Sequence, residues 1–111
     1  MEIFFGDKKL AETCSDTRRR RKALGENRGR RLGRRLDDLA AASSLEDIRT
    51  LPGRCHELKG DRARRFAVDL DGPYRLIFEP AHNPLPMNDD GGLIWSEVRK
   101  IRILEIGNYH G

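Results

Sequence analysis

The sequence predicts an α+β fold: an N-terminal strand, then a helical hairpin packed on a small antiparallel β-sheet. Three observations predict it. Apolar residues recur with a 3.6-residue period only in the first half, where Leu32, Leu36 and Leu39 fall at i, i+4 and i+7. Two-residue alternation appears only in the second half, in Phe66, Val68 and Leu70 and again in Tyr74, Leu76 and Phe78. Between those two runs stands Asp71-Gly72-Pro73, a hairpin turn signal. Helices grouped before a run of strands make an α+β domain rather than a parallel α/β one. The 111 residues suffice for one domain, 1–111, and not two.

Residues 1–5, with Ile3, Phe4 and Phe5, favour a short strand. Residues 8–24 read as a helix, although Ser15, Asp16 and Thr17 could cap a shorter one starting near 17. Gly25-Glu26-Asn27 predicts a turn or sharp break. A second helix is expected over about 28–42. Gly25, Gly29 and Gly33 fall four apart, which predicts close approach of the first helix to the second, the alternative being a weakened helix. Ser43 or Ser44 caps a short helical turn whose first residues include Glu46 and Asp47. Leu51-Pro52-Gly53 ends the helical half.

Strands follow at 55–58, 66–70 and 74–79, with Arg75, Ile77 and Glu79 on the face opposite Tyr74, Leu76 and Phe78. Residues 80–93 make a loop long enough to be functional or mobile, and Trp95 beyond it reads as an anchor. In the last strand, about 98–107, the apolar positions Val98, Ile101, Ile103, Leu104 and Ile106 change parity midway. That predicts a bulge or a strand covered on both faces.

The net charge of +4 hides an asymmetry. Residues 18–35 carry ten Lys/Arg and one acid, Glu26; this block is +9 and the remainder −5. So dense a single-sign block attracts polyanions, with nucleic acid, ribosome or an acidic partner as candidates. No apolar run of 18 residues suggests a membrane span, and the start lacks the pattern of a secretory leader, so a cytoplasmic protein is expected. Cys14 and Cys55 are expected as thiols, and no Cys/His spacing matches a zinc site.

The densest functional-looking stretch is His56-Glu57-Leu58-Lys59-Gly60-Asp61-Arg62, followed by Arg64, Arg65 and, across the hairpin, Arg75. It lies within a wider run, Arg54-Cys55-His56-Glu57-Leu58-Lys59-Gly60-Asp61-Arg62, then the apolar strand, then Gly72-Pro73-Tyr74-Arg75-Leu76-Ile77-Phe78. The chain closes with Asn108-Tyr109-His110-Gly111. Taken together these resemble the HigB-type plasmid-maintenance killer proteins of the RelE/ParE superfamily, over nearly the whole chain. The resemblance implies a RelE-like fold and the toxin of a type II toxin–antitoxin pair, a ribosome-dependent mRNA endonuclease that blocks translation. It implies catalytic roles for His56, Lys59, Arg75, Tyr109 and His110. It implies partners too: mRNA, the ribosome and a cognate antitoxin, often helix-turn-helix and HigA-like.

RNA cleavage by the 2′-OH needs a base, an acid and cations for charge building on phosphorus. His56 or His110 would serve as base or acid. Arg75 and Lys59 would hold the phosphate, and Tyr109 would stack on a base or orient the phosphate. No metal or cofactor is expected. Arg62, Arg64, Arg65, Arg30, Arg31, Arg34 and Arg35 are the expected RNA contacts. Two places depart from the family pattern: Asn108 stands where an acid is common, and Asp69 and Asp71 stand where a base is common before the turn. The competing readings are a ParE-like toxin of DNA gyrase and a non-catalytic basic RNA-binding module.

Overall fold

The structure, a computed structural model, describes residues 1–62 and 64–108. Strand β1 (Glu2–Phe5) leads into helices α1 (Lys8–Cys14), α2 (Thr17–Leu24) and α3 (Glu26–Ala41). Strands β2 (His56–Glu57), β3 (Phe66–Asp69), β4 (Tyr74–Pro80) and β5 (Lys100–Asn108) follow. The α+β class and its element order are as the sequence predicts. The sheet order is β1-β5-β4-β3-β2, with β5 between β1 and β4.

The first helix is not continuous over 8–24. The Asp16 carboxylate accepts the Arg19 N–H at 2.8 Å, which caps a new helix, and Asp7 caps α1 in the same way through Leu10. Gly25, at φ 86°, breaks α2 from α3 in a left-handed region open to glycine. α2 folds back on α3 as a hairpin. A Cβ on Gly29 would lie 3.0 Å from the Arg20 and Arg21 backbone, so close approach is the correct reading of the glycine spacing. Gly29→Ala should therefore destabilise the fold. Overpacking costs about 1–3 kcal/mol, against about 1 kcal/mol gained in helix propensity. A urea midpoint equal to or above wild type would refute the close approach.

The sheet is mixed rather than wholly antiparallel. β1 pairs with β5 in parallel, Ile3 beside Ile101 and Phe5 beside Ile103, while all other pairs are antiparallel. The parity change in the last strand is a bulge. Ile77 opposes Glu105 and Phe78 opposes Ile103, which leaves Leu104 as the extra residue. It lets Ile101, Ile103 and Ile106 all face the helices.

That inner face is the core. Leu32 and Leu39 of α3 pack with Leu45, Ile48, Phe66, Val68, Leu76, Phe78, Ile101 and Ile103. The residue following β3, Leu70, closes the hairpin end. Phe66 stacks on Phe78 at 5.6 Å and meets Trp95 edge-on at 5.0 Å, so Trp95 does anchor its loop. The same loop is tied by Leu93, which is buried, and by a bridge from Met87 to Leu93. On the outer face Ala67 and Ile77 are also buried, against expectation, because Leu58 folds over them. Among the described residues, no helix is long and apolar enough to cross a membrane.

Candidate nucleic-acid interface

Cross-strand pairing decides which residues share the outer face. His56 lies opposite Ala67, Ala67 opposite Ile77, and Ile77 opposite Glu105. Two residues along, Asp69 lies opposite Arg75, and Arg75 opposite Gly107. Directly paired residues project to the same side, as do residues two apart. His56 and Arg75 therefore share the face away from the helices, with their Cα atoms roughly 12 Å apart by standard strand spacings.

Arg75 is held on three sides. Its Nε stands 2.7 Å from Asp69 Oδ1, and its Nη1 donates to the Gly72 and Tyr74 carbonyls at 2.7 and 3.1 Å. Only 17% of its side chain is exposed. Asp69 holds a second cation, because Arg54 Nε donates to Asp69 Oδ2 at 2.6 Å. This bond and the carboxylate's charge raise the Arg54 pKa further. Arg54 sits at φ 49°, an unusual left-handed conformation for a non-glycine residue. His56 Nδ1 lies 2.8 Å from the Arg54 carbonyl oxygen. A carbonyl can only accept, so Nδ1 carries the proton, and in the neutral ring Nε2 keeps a lone pair directed away from this contact.

The turn after β2 roofs the other end of this face. Lys59 stands exposed where the turn begins. Arg62 reaches across to Glu105 at 3.0 Å. Arg64, at φ 70°, pairs with Glu57 at 3.5 Å and donates to the Gly91 carbonyl at 3.0 Å, which ties the turn to the long loop. Arg65 extends the β2–β3 ladder through its carbonyl, which accepts the Leu58 N–H at 2.8 Å. Asn108, the last described residue, lies opposite Tyr74, next to the Arg75 row. Tyr109 and His110 lie outside the described residues.

The basic block divides into two sets. Arg28, Arg31 and Arg35 of α3 clamp the β3–β4 hairpin. Arg28 stacks over the Tyr74 ring at 3.8 Å and sits 3.6 Å from Asp71. Arg31 donates to the Leu70 carbonyl at 3.1 Å, and Arg35 to the Asp69 carbonyl at 3.1 Å. Arg35 is 8% exposed and also lies 3.9 Å from Asp38, so it braces the core and is not placed to meet RNA. Its position explains this: 35 is three after Leu32 and four before Leu39, on the apolar stripe itself. Arg30 and Arg34 remain outward, lining with Asn27, Arg31 and Asp71 a cleft of about 290 Å³. Arg18, Arg19, Arg21 and Lys22 of α2 are exposed, with Arg21 sharing a cleft with Arg30 and Arg34 while Arg19 and Lys22 face α1.

Neither cysteine belongs to this chemistry. Both are free thiols, and burial pushes Cys14 up to about 11 and Cys55 up to about 12, each partly opposed by a nearby arginine. Thiolate is the reactive form, so at pH 8 Cys55 in the folded protein should alkylate more slowly than in the unfolded chain. The unfolded thiol ionises near 9.0, so the stability this burial confers is complete below that pH and is lost as pH rises toward 12. Fast iodoacetamide labelling at pH 8 without denaturant would contradict the assignment. Among the described residues, no group of three or more His, Cys, Asp or Glu converges as a metal site.

Asp69 and Arg54 carry the geometry around Arg75, yet sequence reading treated Asp69 only as a departure from a family pattern. The signal was present: the short turn fixes Leu70 opposite Tyr74, which sets an acid directly across from Arg75.

A helical hairpin on one face of a five-stranded sheet is a fold this chain shares with solved toxin structures. It matches the YoeB/ParE toxin from Agrobacterium tumefaciens with a TM-score of 0.61 at 8% identity, over 99% of this chain and 100% of that one. It also matches the YoeB–YefM complex and the YoeB dimer from Staphylococcus aureus, with TM-scores of 0.56 and 0.55 at 13% and 14% identity, each over 100% of this chain and 98% of the other. No protein-family model and no curated relative matches the sequence.

Proposed function

We propose that this chain is the toxin of a toxin–antitoxin pair and cuts messenger RNA bound to the ribosome. The observation that carries the reading is the placement of His56 and Arg75 on one outer sheet face, joined through Arg54 and Asp69. The full-length likeness to toxin structures supports the toxin half of the reading. The HigB-like motif supports the nuclease half.

In this mechanism a histidine removes the 2′-OH proton, the oxygen attacks phosphorus, and the 5′ oxygen leaves with a proton from a second acid. His56 can serve through Nε2, and His110 is the proposed partner. Arg75 and Lys59 stabilise the charge growing on the phosphoryl oxygens, with Arg75 the stronger because its guanidinium is already oriented. Tyr109 stacks on a splayed base or orients the phosphate. These groups supply acid, base and cation without a metal ion. Arg62, Arg64 and Arg65 line the roof of the same face, and Arg30, Arg31 and Arg34 offer a second basic surface to ribosomal RNA. An antitoxin is the proposed partner, by analogy with the YoeB–YefM complex, with a HigA-like helix-turn-helix protein as the form the motif favours.

The test is induced expression in bacteria with mapping of mRNA 5′ ends. Growth arrest with new cuts confined to translated messages is the expected result. Arrest with DNA breaks and intact messages would replace the reading with a gyrase poison. Binding to RNA with neither arrest nor cuts would leave a binding module.

A further inference from the structure

We infer that Asp69 and Arg54 are positioning residues that hold Arg75 and His56 as one unit for the reaction proposed above. The inference rests on that reading for its chemistry, and on the contacts of Asp69 for its geometry.

Asp69 is itself fixed before it fixes anything else. Its N–H donates to the Gly53 carbonyl at 2.7 Å, and its own carbonyl accepts from buried Arg35 at 3.1 Å. Gly53 cannot move aside for a side chain: a Cβ there would meet Val68 at 2.7 Å and Arg35 at 2.8 Å. From this anchored backbone the carboxylate reaches one cation with each oxygen: Arg54 Nε donates a hydrogen bond to Oδ2 at 2.6 Å, and Arg75 Nε lies 2.7 Å from Oδ1 as an ion pair without hydrogen-bond alignment. Arg54 passes the constraint on. It is held in a left-handed backbone conformation, and its carbonyl oxygen accepts the hydrogen bond from His56 Nδ1–H. A strained non-glycine backbone persists where its surroundings over-determine it, and such residues cluster at functional sites.

Two consequences follow. The trio of Arg54, Asp69 and Arg75 carries a net charge of +1, with the Arg75 guanidinium held by its contacts and Arg54 tethered at the surface by one carboxylate oxygen. His56 is locked in the tautomer that leaves Nε2 basic. The carboxylate thus lowers the total positive charge of the face while fixing its direction. A simple electrostatic role would act the other way: removing the acid would strengthen phosphate binding and speed cleavage.

The experiment compares wild type with Asp69→Asn, which keeps the shape and removes the charge, and with Arg54→Ala, at a side chain 70% exposed. Steady-state cleavage of a defined mRNA on purified ribosomes gives kcat and KM. Nitrogen-15 NMR of the folded protein reads the His56 tautomer and the Arg75 Nε–H resonance. We expect kcat to fall at least 10-fold in Asp69→Asn with KM unchanged or lower. We expect the His56 Nδ1–H tautomer to give way to a mixture in both variants, and the Arg75 Nε–H signal to shift in Asp69→Asn. An unchanged or faster kcat, or NMR signals unchanged in folded variants, overturns the inference. A wild type that cleaves no mRNA overturns the proposed function instead, and the NMR comparison then decides the clamp alone.

Discussion

Replacing Arg75 by alanine should lower mRNA cleavage by about 10²-fold or more, the usual cost of removing a pre-oriented cation from a developing oxyanion. The guanidinium is set by Asp69 and by the Gly72 and Tyr74 carbonyls before any RNA arrives. That orientation adds to its effect, since little side-chain freedom remains to be lost in the transition state. Arg75→Lys keeps the charge but not the fork, and should recover only a small part of the rate. His110→Ala should match the arginine loss if it is the second acid–base group, and the double variant should be little worse than either single one because the groups act together. Cleavage rates on ribosome-bound mRNA, with circular dichroism melts as a folding control, check all of these. Wild-type rates in folded Arg75→Ala would remove Arg75 from the site.

Phe66→Ala should be the most damaging change to the fold. The ring is fully buried, stacked on Phe78 and met edge-on by Trp95, so it holds the sheet and the long loop to one core. Truncating such an aromatic costs about 3–5 kcal/mol, and domains of this size are stable by only about 5–15 kcal/mol. At about 4–8 °C per kcal/mol, the melting temperature should fall by at least about 12 °C. A loss under about 1 kcal/mol in denaturant titration would mean that the Phe66–Phe78–Trp95 cluster is not the centre of the core.

Much of this fold is legible in the sequence because period and turn chemistry are local properties. The leucine period placed α3, the alternation placed β3 and β4, and the parity change in β5 pointed to a bulge or a strand covered on both faces, of which the structure has the bulge, at Leu104. The break at Asp16 was one of two readings, because a good capping residue and a continuous helix compete at similar energy. The parallel seating of β1 was not legible, since its partner lies far along the chain and nothing local records direction. Burial of Ala67 and Ile77 was missed for a related reason: Leu58, which covers them, arrives from the other strand. The site shows the same division. His56 and Arg75 were visible as motif residues, and pairing sets them on one face. Their linkage through Arg54 and Asp69 needed side-chain directions that no spacing encodes. Arg35 was expected among the RNA contacts, whereas its position between Leu32 and Leu39 turns it inward.

The pairing of β1 with β5 also bears on how the protein is made. Ile3 finds its partner Ile101 only after nearly a hundred further residues have been synthesised. Contacts so distant in sequence form late, because the chain between them must first be ordered. While β5 is still inside the ribosome's exit tunnel, β1 and β4 lack the strand that lies between them. The sheet of β2, β3 and β4 that carries His56 and Arg75 therefore stays open at its β4 edge until β5 is available. On the proposed function, a chain that has not yet released β5 lacks the closed sheet on which the site is built.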